Sequence, residues 1–244
     1  MTLEPAPPVV ELRQYLLRRG RRDELIKLFD RELVETQEAV GIRVLGQFRD
    51  VDRANHFVWL RGFTNHDARL EALTSFYGGP TWRQHAAAAN ATMIDSGDVH
   101  QLQAVTEPDR LLVRRHSDRD VAGHRGSILI VVTHRRARGG YDHDRLMREC
   151  LTPRLEAAGL RTIGVYTTDP TDNPFPALPV RPSDVLVRIA AGDSIEALDE
   201  AADQLSLARA ELADHAQKND LDEPLLDMLR LEPTARSCLN GTDV

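Results

Sequence analysis

The order of patterned segments runs twice through the chain, and this doubling restricts the fold more than any single motif does. VVELRQYLLR alternates apolar and polar residues, as a strand with two unlike faces does. GRRDELIKLFDRELVETQEAVG follows as an amphipathic helix closing on Gly41, and IRVLGQFRD and HFVWLRGF alternate again. A second helical stretch spans 67–91, and DVHQLQAV ends the unit. After a charged connector the series repeats: SILIVVTH, HDRLMRECLTPRLEAAG, LRTIGVYTT, SDVLVRIAA, a helix over 194–219, and LLDMLRL. Each half therefore reads β-α-β-β-α-β, the split βαβ arrangement of an α+β fold. EAVGIRVLG in the first half is echoed by EAAGLRTIGV in the second. Two sheets, each coated by helices on one face, cover their bare faces most economically against each other. This predicts domains at 9–106 and 126–233, a charged linker at 107–125, and an enclosed interior between the sheets.

The chain's 244 residues suffice for two such domains. Its 31 basic and 38 acidic side chains give a net charge of −7, which argues against non-specific nucleic-acid binding. The local run Arg18, Arg19, Arg21 and Arg22 reads as a solvated strand-helix junction. Cys150 and Cys238 are too few and too differently placed for a disulfide framework, so a reducing cytoplasm is expected. MTLEPAPPVV lacks the basic and apolar regions of a signal peptide, and no apolar run is long enough to span a membrane.

The two strand faces of the first half differ. In Val9–Leu17, Val10, Leu12 and Leu16 form a face suited to helices, leaving Glu11, Arg13 and Tyr15 toward the interior. In His56–Phe63, Phe57, Trp59, Arg61 and Phe63 share one face opposite Val58, Leu60 and Gly62, which suggests a pocket wall. FYGGPTWRQHAAAANATMID adds Tyr77, Trp82, Arg83, His85 and Asn90, with Trp82 and His85 on one helical face. Together they supply what a pocket for a flat, oxygenated organic molecule needs. Arg13 or Arg61 would stabilise an oxyanion, His85 would move a proton, and Tyr15 completes the candidate catalytic set. Glu11, Trp59, Tyr77, Trp82 and Asn90 are the candidate substrate contacts. The same residues also read as a buried ion-pair network with aromatic core filler.

No phosphate-binding, dinucleotide, zinc-protease or nucleophile-elbow motif occurs in the sequence. His143 between Asp142 and Asp144 reads as an acceptor-rich helix start rather than a metal site, and no metal is expected. The second half is poorer in polar groups: SILIVVTH is almost wholly aliphatic, Arg188 is the one large polar group of SDVLVRIAA, and His134 lies near the place of Tyr15. The proline-rich segment 169–182 reads either as a lid over the interior or as a surface elaboration.

VELRQYLLRRG, VLGQFRD, FVWLRGF and FYGGPTWRQHAAAANATMIDS resemble NIPSNAP-family domains over about residues 9–105. The resemblance implies a ferredoxin-like α+β unit of the dimeric α/β-barrel superfamily, with the barrel closed within one chain or in a homodimer. It carries over no catalytic residue. The wider superfamily includes cofactor-free monooxygenases and isomerases of aromatic or polyketide-like compounds, proteins without known reaction, and haem proteins. It thus implies a cofactor-independent enzyme, a non-catalytic ligand-binding or scaffolding protein, or a haem protein with His85 or His215 as axial ligand.

Overall fold

The computed structural model describes residues 3–114, 126–135, 140–223 and 225–242, the side chains of 140–143 and 146 excepted. His143 and most of the expected linker thus lie outside the described residues.

The first half begins with a short strand β1 (Leu3–Pro5) and continues through β2 (Val9–Leu17). Next comes a helical segment, α1 (Arg22–Leu28), a π-helical turn at Phe29–Leu33, and α2 (Val34–Glu38). β3 (Arg43–Asp50), β4 (His56–Phe63), α3 (His66–Tyr77), α4 (Pro80–Thr92) and β5 (Met93–Ala104) complete it. After β6 (Leu112–Arg114), the second half runs β7 (Ser127–His134), α5 (Gly140–Ala157), β8 (Leu160–Thr168), β9 (Val185–Gly192), α6 (Glu196–Lys218) and β10 (Leu225–Pro233). The helix-ending echo has a structural cause. Gly41 and Gly159 follow α2 and α5 with φ of +93° and +77°, the left-handed conformation that reverses the chain after a helix.

The two sheets have the same internal order, β5-β2-β4-β3 and β10-β7-β9-β8, and every pairing is antiparallel. They join edge to edge. Leu102 to Ala104 pair with Tyr166 to Thr168, and Leu231 to Pro233 pair with Phe48 to Asp50. One chain thereby closes an eight-stranded barrel of two ferredoxin-like units. Closure removes the open sheet edges that would otherwise recruit other chains.

The lumen is solid. Side chains from all eight strands, among them Leu12, Leu60, Ile130, Val187 and Leu229, form one buried apolar cluster. An eight-stranded barrel is just wide enough for its own side chains to fill it. β1 pairs with β6, and this ribbon adds Ala6, Leu111 and Val113 to the cluster. The C-terminal tail adds Leu239, whose N–H donates to Leu45 O at 3.0 Å, and buries Cys238 beside it. At another level of the barrel the His100 and His134 rings stand 6.1 Å apart, on strands that are not neighbours in the sheet.

This arrangement inverts the expected polarity of the first sheet. Val10, Leu12, Val58 and Leu60 face the lumen, while Tyr15, Phe57, Trp59 and Phe63 pack under the helices. The lumen is filled mostly by aliphatic side chains, with Phe48 and Tyr166 among them, whereas the guanidinium groups and their aromatic partners lie in the layer between the first sheet and its helices. The interior between the sheets is therefore not where the candidate polar residues lie.

Candidate functional site

The β2–β4 register sets Glu11 opposite Arg61, Arg13 opposite Trp59 and Tyr15 opposite Phe57. Arg13 Nη1 donates to Glu11 Oε2 at 2.6 Å, and Arg61 Nε donates to the same oxygen at 2.8 Å. From the overlying helix α3, Arg69 Nε donates to Glu11 Oε1 at 2.7 Å. None of these four residues is more than 1% exposed. Burial alone would raise the Glu11 pKa, but Arg61, Arg13 and Arg69 outweigh it and hold the carboxyl far below its usual range. Glu11 is therefore a permanent anion and a very weak base.

Aromatic faces surround the guanidiniums. Arg13 lies 5.5 Å from the centroids of both Tyr15 and Trp59, and Arg61 lies 5.2 Å from Trp59 and 5.3 Å from Phe63. Arg69 lies 5.8 Å from Phe63. These cation–π contacts return part of the desolvation cost. Arg13 Nε also donates to the Tyr15 hydroxyl at 3.1 Å. Burial raises the Tyr77 pKa in spite of Arg61 and Arg13, so its phenol stays protonated at neutral pH.

Directly against this layer is a cavity of about 30 Å³ lined by Tyr15, Phe29, Trp59, Phe76, Tyr77 and Trp82, with Gln37 and Met93 on its wall. Tyr15 and Trp59 belong to both the cavity and the arginine layer. Trp59 Nε1, Gln37 Oε1, Arg61 Nη1 and Arg69 Nη2 are buried without a hydrogen-bond partner. Arg61 Nη2 reaches within 2.7 Å of Glu11 but makes no aligned bond. Unsatisfied buried polar atoms are uncommon and costly, and three donors and one acceptor left unpaired around this site mark it as unusual.

The segment 169–182 crosses from the second half to cover this layer. Asp169 N donates to Gln101 O at 2.9 Å and Arg181 N to Val99 O at 2.8 Å, which fastens it along β5. His66 Nε2 lies 2.9 Å from Asp169 Oδ2. Arg69 Nη1 donates to Asn173 Oδ1 at 2.9 Å, and Phe175 packs 6.0 Å from Tyr77. Of the two readings of this segment, a lid over the interior and a surface elaboration, the lid would have placed it over the lumen; it lies instead over the helix side of the first sheet.

The structure brings Glu11, Arg13, Tyr15, Trp59, Arg61, Tyr77 and Trp82 together, but on the helix side. His85 and Asn90 stand apart. His85 Nε2 lies 3.6 Å from Glu32 Oε2 and does not line the cavity. Asn90 is exposed, because the buried residue of that turn of α4 is Ala89. Arg83 points outward and donates to Gly78 O. Arg69, Gln37, Asn173 and Phe175 were not anticipated. Arg69 had a legible signal, since Ala72, Leu73 and Phe76 continue its buried stripe at helical spacing.

In the second half, Val131 stands opposite Arg188, in a β7–β9 pairing like that of Glu11 with Arg61. Burial pushes the Arg188 pKa down, and its Nη1 donates to Thr162 and Thr152 at 3.4 and 3.5 Å. Neither of the expected haem ligands lines the aromatic cavity: His85 Nε2 lies 3.6 Å from Glu32, and His215 sits near Asn219 at the end of α6. Among the described residues no group of three or more His, Cys, Asp or Glu is placed to hold a metal ion, and no helix is long and apolar enough to cross a membrane.

Residues 10–105 match the NIPSNAP family model. Over nearly the whole chain the fold is similar to two solved structures. A provisionally named monooxygenase from Lactobacillus acidophilus NCFM is 12% identical, with 93% of this chain and 94% of that one covered at a TM-score of 0.51. Another provisionally named monooxygenase, from Fusobacterium nucleatum, is 10% identical, with 98% of each chain covered at a TM-score of 0.53. A NIPSNAP family protein from Agrobacterium tumefaciens is 21% identical, covering 42% of this chain and 90% of that one at a TM-score of 0.37. At these identities the likeness is one of fold. No curated protein matches the chain.

Proposed function

The first half of this chain is a NIPSNAP domain, and on that premise we propose that the protein binds a small, flat, oxygenated organic molecule between its first sheet and α3–α4. The observation that carries this reading is the shared wall of Tyr15 and Trp59. It joins an aromatic box to a layer of buried guanidiniums with unused N–H groups. Ligand sites combine apolar walls with a few fixed polar groups in this way. Trp59 Nε1–H and Gln37 Oε1 offer a donor and an acceptor to a molecule in the box.

A cavity of about 30 Å³ has roughly the volume of one water in the liquid. Binding a ring therefore requires the α3–α4 corner to move outward. That corner carries Tyr77 and Trp82, both partly exposed, on either side of Gly78-Gly79-Pro80. The barrel is closed within the chain, so the reading needs no second copy.

Binding without turnover is the form of the proposal that the geometry favours. Glu11 is held too acidic to accept a proton, and His85, the expected proton carrier, is engaged by Glu32. The alternative of a cofactor-independent enzyme rests on protonated Tyr77 as donor and on Arg13 and Arg61 as stabilisers of a developing oxyanion. The chain has two tryptophans, Trp59 and Trp82, and both line the cavity, so intrinsic emission reports on this site alone. Titration with hydroxylated aromatic and enolisable carbonyl compounds should give a saturable change in emission. Folded Tyr77→Ala should lose it. A panel that leaves the emission unchanged, or binding undiminished in that variant, would reject the site.

A further inference from the structure

Resting on that reading, we infer that the ligand is an organic acid whose carboxylate is taken up by Arg61 and Arg69, with its ring in the aromatic box. The argument is one of charge. Arg13, Arg61 and Arg69 carry three positive charges and Glu11 one negative, so 3 − 1 leaves a surplus of +2 among side chains no more than 1% exposed. Among the described residues no further anion is paired with these guanidiniums. Tyr77 stays protonated, Asn173 contributes only an amide dipole, and Asp169, the buried carboxylate of the covering segment, is paired with His66.

A buried charge without its partner costs several kcal/mol, which proteins rarely tolerate without a use. Cation–π contacts and the Tyr77 hydroxyl beside Arg61 offset part of that cost, but Arg61 Nη1 and Arg69 Nη2 have no aligned hydrogen-bond acceptor. A planar carboxylate accepts hydrogen bonds from guanidinium groups with good geometry, and it would supply both the missing charge and the missing acceptors. Among the described residues of the second half, Val131 stands where the first half has Glu11, and Arg188 is the buried arginine of the comparable layer.

The test uses the full chain and compares benzoate, its neutral isostere benzamide, and inorganic phosphate by tryptophan emission. Benzoate should bind at least about tenfold more tightly than benzamide, the size of one charge-assisted hydrogen bond. Arg69→Gln should bring the two affinities together. Asn173→Ala removes a competing acceptor from Arg69 Nη1 without touching the barrel, so it should tighten benzoate about three- to tenfold and leave benzamide unchanged. Equal binding of benzoate and benzamide would overturn the acid assignment while leaving the ligand site standing. Phosphate binding as tightly as benzoate would assign the surplus charge to an inorganic ion and overturn it too. No binding by any probe would remove the site itself.

Discussion

Replacing Glu11 by Gln should damage this protein far more than a single buried isosteric change normally does. Among the described residues the carboxylate is the only anion contacting these three buried guanidiniums, through N–O distances of 2.6, 2.7 and 2.7 Å. Glutamine keeps one carbonyl acceptor but directs an NH2 group at a donor, and it raises the buried surplus from +2 to +3. Breaking a buried pair by removing one partner costs roughly 3–5 kcal/mol, and the excess of donors here places Glu11→Gln at the upper end. Arg69→Met is the control. It also breaks the Glu11 Oε1 contact and leaves Asn173 Oδ1 with the Phe175 N–H alone, but it lowers the surplus to +1 while keeping a similar apolar volume. Its cost should be less than half that of Glu11→Gln. Urea denaturation followed by far-UV circular dichroism, with the slope held constant across variants, measures both. A cost below about 1 kcal/mol for Glu11→Gln, or a larger cost for Arg69→Met, would refute the charge argument.

Three other outcomes follow from the fold. Leu60→Ala, which empties part of a solid lumen, should cost about 2–5 kcal/mol, and a negligible cost would mean that the lumen is loosely filled. Tyr166 has its pKa pushed up to about 12 by burial, and its hydroxyl accepts from Leu111 N at 3.0 Å. Tyr166→Phe orphans that N–H and should cost about 1–3 kcal/mol in the same assay, against no change if the bond is immaterial. His100, lowered chiefly by burial, is disfavoured as a cation in the folded state. Its contribution is therefore complete above the unfolded value near 6.5 and is lost as pH falls toward its folded pKa. Stability should drop between pH 7 and 5 by at most about 1.4 kcal/mol per pH unit from this group, and His100→Gln should flatten that slope.

The order of elements was legible because the strands of the first half alternate at period two, the second half repeats the same series of segments, and each half ends its first helix on a glycine in the left-handed conformation. The direction of the sheet was not. Polar residues on a strand normally mark the wetter face, yet both faces of β2 are buried, and Glu11 and Arg13 lie deeper than that rule allows. Local pattern says which residues share a face; what covers each face depends on barrel closure, a property of the whole chain. Arg69 was missed because a charged residue on a helix reads as solvated unless its buried stripe is followed through Ala72, Leu73 and Phe76. His85 was grouped with Trp82 by their shared helical face, but it meets Glu32 instead of the cavity, and Asn90 is exposed where its neighbour Ala89 turns inward. Nothing local in residues 169–182 indicates that they fasten along β5 and reach Arg69 in the other half.

A crystal structure of the full chain soaked with benzoate tests the location of the site most directly. The account predicts the ring between Tyr15, Trp59 and Tyr77, its carboxylate within hydrogen-bond distance of Arg61 and Arg69, and the α3–α4 corner displaced outward. A ring found instead among Leu12, Leu60, Ile130 and Val187, inside the barrel, would contradict it.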